Sequence, residues 1–106
     1  QNTWQNVQPG RLQSFADGRF AIYRTKFRPF AAVQSGGGEI VFKSITGKAE
    51  VWLDGKRIGT KAGFDAAPLA VTIDAGPSER TISVLLEAQP GHSAGLGGEV
   101  LVEAAP

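Results

Sequence analysis

The chain has 106 residues, a length that predicts one domain with one hydrophobic core. Eleven basic residues against ten acidic ones give a formal net charge of +1, without the basic surplus or stripe that phosphate neutralisation requires, so nucleic acid is not expected as a partner. There is no cysteine, which removes disulfides, thiolate metal sites and cysteine nucleophiles, and no apolar run approaches the roughly 18 residues of a membrane helix.

The chain opens on Gln1 and contains no methionine, so the expectation is one β domain over residues 1–106, cut from a larger protein. Glycine and proline clusters recur about every ten residues, the spacing of a sandwich or barrel. The segment around Trp4 is expected to pack as an edge strand. Leu12 to Ala16 is too short and uncapped for a helix. Residues 20–28 alternate, with Ala21, Tyr23, Thr25 and Phe27 on one face and Ile22, Arg24, Lys26 and Arg28 on the other. Residues 39–45 place Ile40 and Phe42 opposite Val41 and Ile45, and the partly apolar character of both faces suggests a central strand.

Residues 49–53 turn Ala49, Val51 and Leu53 inward and Glu50 and Trp52 outward. Asp54-Gly55 follows as a two-residue hairpin turn, because a type I′ turn needs positive φ at both central positions. The return strand runs from Lys56 to Thr60. Leu69, Val71 and Ile73 form the next inward row, then Ile82, Val84 and Leu86. Residues 90–98 read as a mobile loop, and Val100 and Val102 close the chain. Seven or eight strands and no helix predict an all-β fold, a two-sheet antiparallel jelly-roll sandwich.

Tyr23-Arg24-Thr25-Lys26-Phe27, Gly47-Lys48-Ala49, and the stretch Glu50-Val51-Trp52-Leu53-Asp54-Gly55-Lys56-Arg57-Ile58-Gly59 come in that order. Leu69 to Asp74 and Arg80 to Leu86 complete the series. This order resembles the galactose-binding-like sandwich domains of family-two glycoside hydrolases, the β-galactosidase and β-glucuronidase group, over about two thirds of the chain. The resemblance implies a bacterial parent hydrolase acting on glycosides, with β-galactosides first in line, in a periplasmic or secreted setting. It implies no catalysis in this chain, because the acid and nucleophile carboxylates of such enzymes sit in a separate barrel domain. The expected role is accessory and architectural, packing on other domains of the parent. The alternatives are a carbohydrate-binding module for a galactose-containing glycan, or an interaction domain of an unrelated secreted protein.

Glycosidase chemistry needs two facing carboxylates, one with a raised pKa. The carboxylates here fall mostly at strand ends and turns, so no catalytic residue is assigned. A single histidine, His92, without companions does not make a metal site. No metal or cofactor is expected, and membrane is not expected as a partner. Sugar rings stack their C–H faces on exposed aromatics while polar groups bind the hydroxyls. Trp4, Trp52, Arg24 and His92 are therefore the candidate carbohydrate contacts. Each has a plainer reading: edge-strand packing for Trp4, a covered sheet face for Trp52, a solvated stripe for Arg24 with Lys26 and Arg28, and a solvated loop for His92. An architectural role calls for an apolar patch left exposed in the isolated chain, and Trp52 and Leu85 are its candidates.

Overall fold

Strict alternation along Arg80–Glu87 gives that strand a fully buried row, Ile82, Val84 and Leu86, and a half-buried row, Thr81, Ser83 and Leu85. Strands of this kind hide one face, and two such sheets stacked together satisfy both. The computed structural model describes residues 4–7, 11–14 and 20–105. Among these residues the chain forms β1 (Trp4–Val7), β2 (Arg11–Ser14), β3 (Phe20–Phe27), α1 (Ala31–Gly36), β4 (Gly38–Thr46), β5 (Lys48–Leu53), β6 (Lys56–Lys61), β7 (Ala67–Ile73), β8 (Arg80–Glu87) and β9 (Gly95–Ala104). The order is β1-β9-β4-β7 in one sheet and β2-β3-β8-β5-β6 in the other, with every pairing antiparallel.

The result is the expected two-sheet β-sandwich, with nine described strands instead of seven or eight. Its core joins Ile40, Phe42 and Ile45 of β4, Val71 and Ile73 of β7 and Val100 and Val102 of β9 to Ala49, Val51, Leu53, Ile82, Val84 and Leu86 from the facing sheet. Tyr23 packs against this core from β3, as its shared face with Phe27 predicts. Burying each large aliphatic side chain contributes about 1.5–3 kcal/mol.

Three expectations need correction. Ile45 lies with Ile40 and Phe42 and is fully buried, not opposite them. Against β7, residues Lys43 and Ser44 occupy the space of one residue, so a bulge between Phe42 and Ile45 resets the alternation. The stretch 95–98 is strand, not loop: Gly95, Leu96 and Gly97 pair with Thr46, Ile45 and Ser44. Gly98, at φ 71°, sits in the matching irregularity of β9. Finally, α1 exists. Its N-cap residue Phe30 makes no side-chain capping bond, so the usual Ser/Thr/Asp/Asn start signal is missing. Tertiary packing holds it: Val33 is fully buried, and Gly37 donates from its backbone to the Val33 carbonyl at 2.8 Å.

One residue, Gly47, carries the chain from β4 in one sheet to β5 in the other. Its φ is 104°, and a Cβ there would come within 2.7 Å of the Glu87 carbonyl oxygen and 2.9 Å of the Ala94 Cβ. Only glycine fits this corner without displacement.

Candidate functional site

The five-stranded sheet presents a continuous outer face, and the strand register fixes which side chains share it. Arg24 of β3 pairs with Ser83 of β8, Ser83 with Trp52 of β5, and Trp52 with Arg57 of β6. The next outward rung runs Ile22, Leu85, Glu50 and Thr60. Side chains two apart on a strand point the same way, so the two rungs form one patch. Ile22, Arg24, Glu50, Trp52, Ser83 and Leu85 line a shallow depression of about 290 Å³ on it.

The polar groups of this patch are tied to one another. The Trp52 indole Nε1–H donates to Glu50 Oε1 at 3.2 Å. The other Glu50 oxygen lies 3.8 Å from Arg57 Nη1, in a pair open to solvent. Arg24 Nε donates to the Ser83 hydroxyl at 3.1 Å. These contacts fix the Trp52 ring and the Arg24 fork over an aliphatic floor of Ile22 and Leu85. Exposed pairs of this kind add little stability, but they orient the side chains.

The structure therefore brings Trp52, Leu85 and Arg24 together, as the outward alternation of β3, β5 and β8 implies, and adds Ile22. It does not bring the other two candidates to them. Trp4 lies on β1, an edge strand of the opposite sheet as expected, and its side chain falls outside the described residues. His92 is exposed in the turn between β8 and β9, where its backbone N–H donates to the Gln89 carbonyl at 2.9 Å.

At the hairpin end of the sandwich lies a cluster that sequence reading missed. Arg80 is only 5% exposed. Its Nε donates to Asp54 Oδ2 at 2.5 Å, and its Nη2 donates to Asp74 Oδ1 at 3.1 Å. A third bond, from Nη1, reaches the Asp74 carbonyl at 3.2 Å. Asp54, in the hairpin turn with φ 52°, also accepts the Thr81 N–H at 2.8 Å and returns its own N–H to the Thr81 carbonyl. The Arg80 hydrogen bond holds the Asp74 carboxyl below its ordinary value. Burial pulls the Arg80 pKa down, yet its bonds to Asp54 and then Asp74 outweigh that and leave it raised. Two carboxylates bonded to one guanidinium form a lock between the β5–β6 turn and the start of β8, not a pair of facing carboxyl groups.

No protein-family model matches the chain, and no curated relative matches it. Solved structures do. Over 99% of its length it is similar to a β-glucuronidase from Ruminococcus gnavus, at a TM-score of 0.79 and 16% identity, covering 30% of that chain. The β-D-glucuronidase of Dictyoglomus thermophilum matches over 99% of the chain and 28% of its own, at a TM-score of 0.75 and 9% identity. A GH2 β-galacturonidase from Eisenbergiella tayi matches over 83% of the chain and 17% of its own, at a TM-score of 0.67 and 22% identity. The chain spans less than a third of the length of each of these structures. It has the fold of a sandwich domain found within larger β-glucuronidases and β-galacturonidases.

Proposed function

We propose that the chain is the galactose-binding-like jelly-roll domain of a family-two glycoside hydrolase, non-catalytic in itself, and that it works by packing its five-stranded sheet against another domain of the parent. The observation that carries this reading is the outer face of that sheet. Ile22, Leu85 and Trp52 form a half-buried apolar patch whose polar rim is already oriented by Glu50, Ser83 and Arg24. Isolated apolar residues on a surface call for no partner, but a contiguous patch on a rigid sheet does. Similarity to a fraction of larger glycosidases supports a neighbouring domain as the occupant. The activity of those proteins comes to this chain only as the parent's expected chemistry, with uronides now beside galactosides as candidate substrates.

The test separates the chain from its parent. The full gene product and the 106-residue chain are assayed side by side on aryl β-glucuronides, β-galacturonides and β-galactosides. Turnover by the long protein and none by the chain is the expected outcome. Turnover by the chain alone, or a long protein with no glycosidase activity, refutes the proposal.

A further inference from the structure

Asp54 and Gly55 form the turn between Leu53 and Lys56, which pair at the base of the β5–β6 hairpin. Both have left-handed backbones, at φ 52° and 84°. An Asp-Gly bond carries a chemistry of its own, because glycine puts no side chain in front of its nitrogen. That nitrogen can attack the aspartate side-chain carboxyl carbon. A C–N bond forms, a C–O bond breaks, and the amide proton leaves with the departing oxygen as water. Water then opens the resulting succinimide ring at either carbonyl. One opening restores aspartate, and the other gives isoaspartate, with the main chain running through the former side chain. One water leaves and one returns, so no further reagent is needed.

The turn exposes the nucleophile of this reaction and ties down the electrophile. Gly55 is exposed, and a Cβ built on it would meet nothing within 4 Å. The Asp54 carboxyl, by contrast, has each oxygen engaged by a different donor. Oδ2 accepts from Arg80 Nε at 2.5 Å, and Oδ1 accepts from the Thr81 N–H at 2.8 Å. The Asp54 N–H donates to the Thr81 carbonyl, which fixes the backbone of the same residue. Arg80 cannot follow a rotating carboxyl. It is 5% exposed, bonded through Nη1 and Nη2 to Asp74, and seated against Gly76, where a Cβ would come within 2.5 Å of Nη1. Ring closure needs the carboxyl carbon aligned on the Gly55 nitrogen, and one oxygen must depart, so both bonds to β8 have to open first.

We propose that Asp54 is a latent isoaspartate site and that Arg80 keeps it closed in the folded chain. Conversion destroys the lock that restrained it. Isoaspartate adds a methylene to the main chain and leaves its carboxyl directly on Cα, one carbon short of the reach to Arg80 and Thr81. The buried guanidinium then keeps only Asp74. The site lies at the hairpin end, so its behaviour and the covering of the outer sheet face stand or fall separately.

The experiment ages the 106-residue chain at neutral pH, folded and in guanidinium chloride. Peptide mapping with electron-transfer fragmentation then distinguishes isoaspartate from aspartate at residue 54. Folded chain should convert about thirtyfold or more slowly than unfolded chain, the factor set by two hydrogen bonds, one of them to a charged group. In the unfolded chain the second Asp-Gly pair, Asp17-Gly18, which lies outside the described residues, should convert at a rate similar to Asp54. Arg80→Met should speed folded-state conversion at residue 54 about tenfold. Val102→Ala is the control, since it destabilises the core from the opposite sheet without touching the turn, and it should leave residue 54 as slow as in the parent. Equal conversion of folded and unfolded parent, an Arg80→Met variant as slow as the parent, or a Val102→Ala variant as fast as Arg80→Met would each overturn the proposal.

Discussion

The Asp54 carboxylate has three tasks that can be separated by substitution. It holds a left-handed backbone at φ 52°, accepts the Thr81 N–H, and neutralises the buried Arg80. Asp54→Asn keeps the backbone preference and an acceptor for Thr81 but removes the charge and turns an amide donor toward a guanidinium donor. Hydrogen bonds to charged groups contribute about 1.5–3 kcal/mol. The Asp54 side chain is 37% exposed, so screening by solvent places this one at the low end, at about 1–1.5 kcal/mol. Asp54→Ala loses the Thr81 bond as well and adds left-handed strain of about 1 kcal/mol, for a total of about 2–4 kcal/mol. Urea unfolding followed by tryptophan fluorescence reads both, as midpoint shifts of about 0.5–1 M for Asn and about 1–3 M for Ala. A double-mutant cycle with Arg80→Met isolates the pair, because methionine keeps most of the buried volume. Coupling of at least about 1 kcal/mol is expected. An Asp54→Asn variant as stable as the parent, or zero coupling, refutes the lock.

Gly47→Ala forces a Cβ to within 2.7 Å of a backbone oxygen at a positive φ. Strain and overpacking together predict a loss of about 2–5 kcal/mol in urea unfolding, and a variant within experimental error of the parent would contradict the corner. Asp74 titrates below its ordinary value of 3.8 in the folded chain, so its contribution is full above that pH and is lost as pH falls through the folded pKa. Asp74→Asn should therefore flatten the acid limb of the stability curve below about pH 3.8 while leaving its shape at neutral pH unchanged. Superimposable acid limbs would remove Arg80 as the cause.

Where burial follows a strict period of two, the sequence is enough to place a residue. Val51, Leu53, Ile82, Val84 and Leu86 all lie inward as alternation predicts, and the positive φ values of Asp54 and Gly55 are those of the Asp-Gly turn. The same alternation places Arg24, Leu85 and Trp52 on a common outer face. Period two fails at Ile45 because one extra residue in β4 shifts the pattern, and nothing local marks that insertion. It fails at 95–98 because glycines that look like a loop are held by pairing with β4, a contact distant in sequence. The helix carries no side-chain cap at its N-terminus and is held by the burial of Val33. Arg80 reads as an ordinary surface cation until the fold brings Asp54, 26 residues away, against it.

Whether the outer face of the five-stranded sheet is covered in the intact parent is decided most directly by hydroxyl-radical footprinting with residue-level mass spectrometry. Ile22, Trp52 and Leu85 should label severalfold more slowly in the full gene product than in the 106-residue chain, while Lys56 and Arg57 at the hairpin change little. Equal labelling of Trp52 and Leu85 in both proteins would mean that no domain sits on that face.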